Sequence, residues 1–526
     1  MIKTENSSQN QTEYIRQLEE TCSSQKQQIQ MLEGKMNWLL EQIKLSQHRQ
    51  FGTSSEKSMY DQLNLFNEAE NESDASIPEP ELEEIKYKRK KRIGRKDEML
   101  ADLPVETIEY FLSPEEQACP KCGDTMHIMG KEIRRELKII PAQAKVVEHV
   151  RYIYSCRPCE KSSDSTPVIK ACIPEPVIKG SIASPSTVAY IMSQKYVNAV
   201  PLYRQEKEFE RLGIEISRQT MANWVIRCAM DWLLFVYMMM KETMIKREVL
   251  HADESVLQVL KEPGKPPQSD SRMWLYRTGD DGGPPIVLYE YQPDRKAERP
   301  KEFLKGFKGY LHTDGYDGYH NLQKDIIICG CWAHARRKFD EVLKSLKPSE
   351  HLGSKALAGK NYCDQLFSVE RKLADSSYGE RYEKRLELAN PILDEFHTWL
   401  KSVNALPQSA LGKAVNYTLG QWKYLENYLL DGRCEISNNR AERSIKVFVI
   451  GRKNFLFCDT VNGAKSSATI YSVIETAKEN GLNPMNYLTY LFEKIPNMDL
   501  KDNPDALKDL LPWGQLPDNC YIKKND

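Results

Sequence analysis

The chain has little of what a membrane or secreted protein needs. No apolar run approaches the roughly 18 residues required to cross a bilayer; the closest, Trp232–Met240, is far shorter and reads as a buried helix. The first residues, MIKTENSSQNQTEY, lack the basic-then-apolar layout of a secretory leader, so a cytoplasmic protein with no membrane partner is expected. Net charge is also nearly absent, at −1 over 526 residues. That average argues superficially against a nucleic-acid partner, but it hides a segregation. Residues 67–85 carry eight acids and no base, whereas 86–96 carry eight bases and no acid. Local patches, not the net sum, govern binding to phosphates.

What is present reads as several globular domains. Apolar residues make up 40% and charged residues 28%, the balance of a chain with a sizeable core. Thirteen cysteines, four of them in two CxxC pairs, point to metal ligands and free thiols rather than to a disulfide framework. Ile15, Leu18, Cys22, Gln25, Ile29, Leu32, Met36, Leu39 and Ile43 follow a 3-4 spacing, so residues 10–50 are expected to form a coiled coil that joins copies of the chain. Residues 61–97 read as a charged linker, acidic first and then KYKRKKRIGRK.

Cys119 and Cys122 form one CxxC knuckle and Cys156 and Cys159 a second. Two knuckles complete a tetrahedral four-sulfur site, which suits one structural zinc and leaves no open position for chemistry. With strand-like alternation at Glu136–Ile140 and Lys145–Ser155, residues 110–175 are read as a zinc ribbon. Residues 184–245 read as helices. Pro201 opens one, Leu212-Gly213 turns the chain, and Ser217 caps the next, which is the layout of a helix-turn-helix. Arg218, Gln219 and Asn223 fall near the groove-facing end of that second helix.

From Arg247 the pattern changes to strands. Glu248–Leu260 carries Asp253-Glu254; Met273–Thr278 and Pro285–Tyr291 follow; Arg295–Phe303 is helical; Lys308–Thr313 delivers Asp314; and a further apolar run, Asp325–Gly330, leads into Cys331-Trp332-Ala333-His334. Strand, hairpin, helix, strand, then strand and helix is the order of a ribonuclease-H-like domain. Its expected limits are 247–340 and 431–480, interrupted by a helical insertion at 341–430 and followed by a tail at 481–526. Ser437 or Asn438 is expected to cap a helix holding Glu442. From Asp431 to Lys465, seven Lys and Arg stand against four Asp and Glu.

Ten collinear stretches carry a family resemblance over nearly the whole chain: HRQFGTSSEK, CPKCG, ELKIIPAQAKVVEHVRYIYSCRPC, SQKYVNAVPLYRQE, GIEISRQTMANWV, HADES, GYLHTDGYDGY, CWAHARRKF, NNRAERSIKVFVIGRKNFLF and SVIETAKENGLNP. The chain resembles transposases of the insertion sequence 66 family. That resemblance implies an acidic triad, matched by Asp253, Asp314 and Glu442, acting on the element's terminal repeats and on target DNA. It further implies a bacterial, nucleoid-associated protein with accessory proteins encoded by the same element. Ser255 and Lys446 depart from the family's usual threonine and arginine, and neither change removes a carboxylate.

Three carboxylates suit two magnesium or manganese ions, because these hard cations prefer oxygen. Alternation along the strand sends Glu254 to the face opposite Asp253. Asp317 lies past the strand, and Glu475 sits on an apolar helix where a structural role fits better. Cys331 and His334 have the spacing of half a zinc site with no second pair nearby, and are read as support for the active site or as a DNA contact. His251 and His312 each precede an aspartate by two residues and read as satisfied core histidines. Arg336, Arg337, Arg440, Arg443, Lys446, Arg452 and Lys453 are candidate phosphate contacts. Two alternatives to a transposase remain: a non-enzymatic DNA-binding repressor or inactive copy, and a structure-specific nuclease on the same fold.

Overall fold

The computed structural model describes residues 172–500 and 503–522, together with Gln25, 144–150, 152–155 and 168–170. The expected coiled coil (apart from Gln25), the charged linker and all four CxxC cysteines lie outside the described residues. The chain divides into two compact units. In the smaller one, β1 (Ile153–Ser155) pairs antiparallel with β2 (Val168–Lys170). The strand expected over Lys145–Ser155 is therefore confined to its last three residues, since 144–150 have no regular structure.

The larger unit opens with α1 (Pro185–Tyr196), α2 (Leu202–Arg211) and α3 (Arg218–Cys228). Ser184 and Ser217 each accept a backbone N–H three residues on, the usual way a serine satisfies the first orphan amides of a helix. Gly213, at φ +76°, makes the turn between α2 and α3, a conformation that a Cβ disfavours. A π-turn at Ala229–Leu233 carries α3 straight into α4 (Leu234–Ile245). Val188, Met192, Met221, Leu233 and Met240 are fully buried, so these helices share one core with the sheet that follows.

That sheet consists of β3 (Val249–Lys261), β4 (Asp270–Thr278), β5 (Val287–Gln292), β6 (Gly309–His312) and β7 (Ile326–Cys329), in the order β5-β4-β3-β6-β7. The first three form an antiparallel meander, while β6 and β7 run parallel to β3. Short β8 (Cys458–Thr460) pairs with the far end of β3. α5 (Glu298–Phe303) links β5 to β6 and starts later than Arg295, because the Asp294 carboxylate accepts the Lys296 amide and grips Arg299 in a turn.

The edge of the sheet is not left open. Two hydroxyls of α12 (Val461–Glu479) take its free backbone groups: Ser472 Oγ accepts Tyr289 N at 2.7 Å, and Thr476 Oγ1 accepts Val287 N at 3.0 Å. Covering an edge in this way removes a template for aggregation. Beyond α12, α13 (Pro484–Lys494) is no loose tail. Tyr487, Leu488, Leu491 and Phe492 are fully buried, and Leu482 bridges Tyr521.

Between β7 and α11 (Asn439–Phe455) lie α6 (Trp332–Ser345), α7 (Lys355–Lys372), α8 (Tyr378–Leu388), α9 (Asn390–Ser402) and α10 (Ala410–Leu425). They enclose a second hydrophobic core of aromatic rings. Trp332 meets Trp422 edge-on at 5.6 Å, and Phe396 lies 4.8 Å from the Tyr362 ring. Buried Arg385 ties this layer to the segment that leads into α11. It pairs with Glu370 and donates to the carbonyls of Tyr428, Asp431 and Cys434.

Candidate active site

Register brings the two aspartates together. β3 and β6 run parallel with His251 opposite His312, and Asp253 and Asp314 each lie two residues further along. Neighbouring strands are about 5 Å apart, so the register puts Asp253, inside β3, near Asp314, which lies just past the end of β6. Asp253 Oδ1 accepts the Glu254 amide at 2.8 Å, and Asp314 Oδ1 accepts the Tyr316 amide at 3.0 Å. Gly315 fits the turn because a Cβ there would meet the Tyr417 ring of α10 at 3.0 Å. The insertion thus packs directly on the Asp314 turn.

Glu442 comes from the first turn of α11, and Asn438 fixes where that turn begins. Asn438 occupies the cap position, but its side chain does not cap the helix. It is buried instead, donating to Ala252 O at 2.8 Å and facing His251 Nδ1 at 3.0 Å. Its amide donates to Cys331 Sγ at 3.1 Å, and Trp332 N donates to Ile436 O. The segment before Glu442 is therefore clamped between β3 and the start of α6.

Electrostatics confirm the crowding. Burial raises the Asp253 carboxyl well above its usual range, and Glu254, Asp314 and Glu442 push it further up. Glu254 is also raised, by burial and then by Asp314. Register pairs Glu254 with Trp274 and Asp253 with Leu275, and Tyr319 packs edge-on against the Trp274 ring. Only 4% of the Glu254 side chain is exposed, and it bonds to Tyr319 Oη at 2.9 Å and to Arg295. Glu254 is thus held by the buried Tyr319 hydroxyl and by Arg295, whose side chain is 41% exposed.

The other candidates separate cleanly. Asp317 is exposed and pairs with His320. Glu475 is buried in α12 against Lys478. His251 and His312 are fully buried and stacked at 4.5 Å, but they are not satisfied: His251 Nε2 and His312 Nδ1 have no hydrogen-bond partner. Burial, then Arg440, lowers the His251 imidazole to about 3. Cys329 and Cys434 lie next to His312, with their sulfurs 4.0 Å apart.

Cys331 and His334 reach Glu442. His334 Nε2 is 3.7 Å from Glu442 Oε1, and Arg337 donates to Oε2 at 3.3 Å. Burial raises the Cys331 thiol to about 11, although the amides of Asn438, His334 and Ala333 pull the other way. Arg336 pairs with Asp364, Arg440 with Glu435 at 2.6 Å, and Arg452 with the Val256 carbonyl. Arg443, Lys446 and Lys453 are exposed on α11, as are Arg218, Gln219 and Asn223 at the start of α3.

The larger unit is a mixed α/β core in which half-buried Asp253, Asp314 and Glu442 gather beside helices rich in Lys and Arg. Comparison with known proteins gives the family. Residues 180–466 match the Transposase IS66 family, and the chain belongs to that family. Three further matches agree: the zinc-finger binding domain of transposase IS66 at 116–160, the IS66 C-terminal element at 472–513, and Transposase C of IS166 homeodomain at 38–108.

Among similar proteins, uncharacterised protein y4qI of Sinorhizobium fredii is 30% identical over 502 residues, covering 90% of this chain and 88% of its own. Uncharacterised protein y4jD of the same organism is 30% identical over 424 residues, covering 78% and 80%. A solved Drosophila P element transposase strand transfer complex aligns at 14% identity with a TM-score of 0.33, over 56% of this chain and 92% of that one. Among the described residues, no helix is long and apolar enough to cross a membrane.

Proposed function

We propose that the protein is a DNA transposase that cleaves the ends of its insertion sequence and joins them to target DNA, using Asp253, Asp314 and Glu442 on a ribonuclease-H-like core. The observation that carries this reading is the parallel register of β3 with β6, which sets Asp253 beside Asp314 while Asn438 anchors the turn that bears Glu442.

The donor set suits magnesium or manganese. It offers oxygen alone, and Asp253 carries mutual repulsion that a dication would relieve. Asp253, Asp314 and Glu442 would hold two such ions, which supply Lewis-acid activation of the attacking oxygen and stabilisation of the leaving one. The chain's own groups do the positioning. Arg295 and Tyr319 hold Glu254, and Arg337 with His334 orients Glu442. Exposed Arg443 and Lys446 lie along α11 where a phosphate backbone would run.

In this reading α2, its glycine turn and α3 act as a helix-turn-helix, with Arg218, Gln219 and Asn223 toward base edges. The zinc ribbon of Cys119, Cys122, Cys156 and Cys159 assists end recognition, and the N-terminal coiled coil assembles copies on DNA. The test is magnesium-dependent nicking and joining of DNA carrying the element's terminal repeats. Asp314→Asn is expected to abolish both steps. Undiminished activity in that variant would refute the assignment.

A further inference from the structure

Cys331 and His334 were half of a metal site in the sequence, and the fold supplies the missing partner from 108 residues beyond His334. One ligand atom from each of Cys331, His334 and Glu442 lies within 4.8 Å of the others. Zinc bonds of about 2.0–2.3 Å at tetrahedral angles require donors roughly 3.3–3.7 Å apart. The His334 Nε2 to Glu442 Oε1 distance of 3.7 Å meets that directly.

Glu442 Oε1 lacks the bond that would otherwise occupy it, and His334 Nδ1, the ring nitrogen that faces away from it, is also unpartnered. Both are buried, a costly arrangement for unpartnered polar atoms. Cys331 is buried at the N-cap of α6, where the amides of Asn438, Ala333 and His334 all approach the sulfur. Amides aimed at sulfur, together with the positive end of a helix, stabilise a metal-bound thiolate. Sulfur, imidazole and carboxylate form a borderline-soft set that magnesium declines and zinc accepts, and three protein ligands leave a fourth position open.

We propose that Cys331, His334 and Glu442 form a binding site for a zinc-class ion, separate from the ribbon, whose occupation withdraws Glu442 from the magnesium set and stops strand cleavage. The inhibitory consequence rests on the transposase reading above; the site itself does not. Arg337, which holds the other Glu442 oxygen, can keep that contact when Oε1 turns to the metal.

The test uses the full chain and zinc itself. Metal content per chain is measured after dialysis against buffered zinc, for the wild type, Cys331→Ala and His334→Ala. Each variant is expected to hold one zinc fewer than the wild type, while a Cys119→Ser protein loses ribbon zinc and keeps this one. Loading with cobalt is expected to produce a thiolate charge-transfer band that Cys331→Ala abolishes. In the cleavage assay, normalised to each protein's own magnesium-supported rate, the half-inhibiting zinc concentration should rise about tenfold or more in Cys331→Ala, a loss of roughly 1.4 kcal/mol in zinc affinity.

Unchanged zinc content and an unchanged cobalt spectrum in both variants would overturn the site. Should Cys331→Ala fail to fold by circular dichroism, His334→Ala decides, because its ring is partly exposed. Loss of one zinc in a wild-type protein that never cleaves DNA would uphold the site and refute the transposase reading instead.

Discussion

Replacing Asp253 with asparagine should stabilise the magnesium-free protein. Asp253 is buried among Glu254, Asp314 and Glu442, and its carboxyl is raised first by burial and then by these neighbours. Two like charges about 5 Å apart at an effective dielectric constant near 20 repel by about 3 kcal/mol. Asparagine removes that repulsion and retains an oxygen able to accept the Glu254 amide at 2.8 Å. The sign follows from linkage. A carboxyl raised in the folded state costs nothing below its unfolded pKa of about 3.9 and costs progressively more as the pH climbs toward the folded value. The stability gap should therefore be absent below about pH 4 and widen as the pH climbs through mild acid toward the folded value, reaching on the order of 2–3 kcal/mol. Thermal unfolding across a pH series, without magnesium, measures it. A melting point for Asp253→Asn that stays at or below the wild type above neutral pH would refute the reasoning. Adding magnesium should close the gap by raising the wild type alone.

Asn438→Ala should leave Ala252 O and His251 Nδ1 buried without partners, costing roughly 2–5 kcal/mol. Its strand-cleavage rate should fall more than its DNA affinity, read by comparing turnover with a binding titration, because Glu442 loses its anchor. Phe396→Ala, which empties the centre of the insertion's aromatic core, should cost about 3–5 kcal/mol in chemical denaturation of the chain. Cys156→Ser should lose the ribbon's zinc, measured by metal analysis; full retention would sink the four-cysteine site. Arg218→Ala together with Asn223→Ala should weaken discrimination between terminal-repeat and random DNA by roughly 1–3 kcal/mol per lost base contact, read in competition binding.

Much was legible in local chemistry. Alternating apolar residues bounded by glycine and aspartate marked the core strands, and the helix starts at Ser184 and Ser217 follow from hydroxyls placed to satisfy orphan amides. Asp314 could be named because it closes an apolar run and Asp253 because it interrupts one, and both because the HADES and TDGY stretches resemble a known family. The residues that hold the site were harder to see. Asn438 looks like an ordinary cap in NNRAER, yet its side chain reaches 186 residues back to Ala252. Arg385 and Tyr417, in an insertion that carries no motif, pin the loop before Glu442 and the turn after Asp314.

The sequence alone determined which residue types are available: oxygen donors in three separate stretches, a Cys-x-x-His, and basic residues along one helix. Only the tertiary structure decided which of them meet. Register is a property of two strands, not one, so the adjacency of Asp253 and Asp314 exists only once His251 and His312 pair. Glu254 is pinned by Arg295 and Tyr319, which arrive from other elements. Cys331 and His334 become three donors rather than two for the same reason: the turn that brings Glu442 to them is closed by a helical insertion whose own sequence names no site.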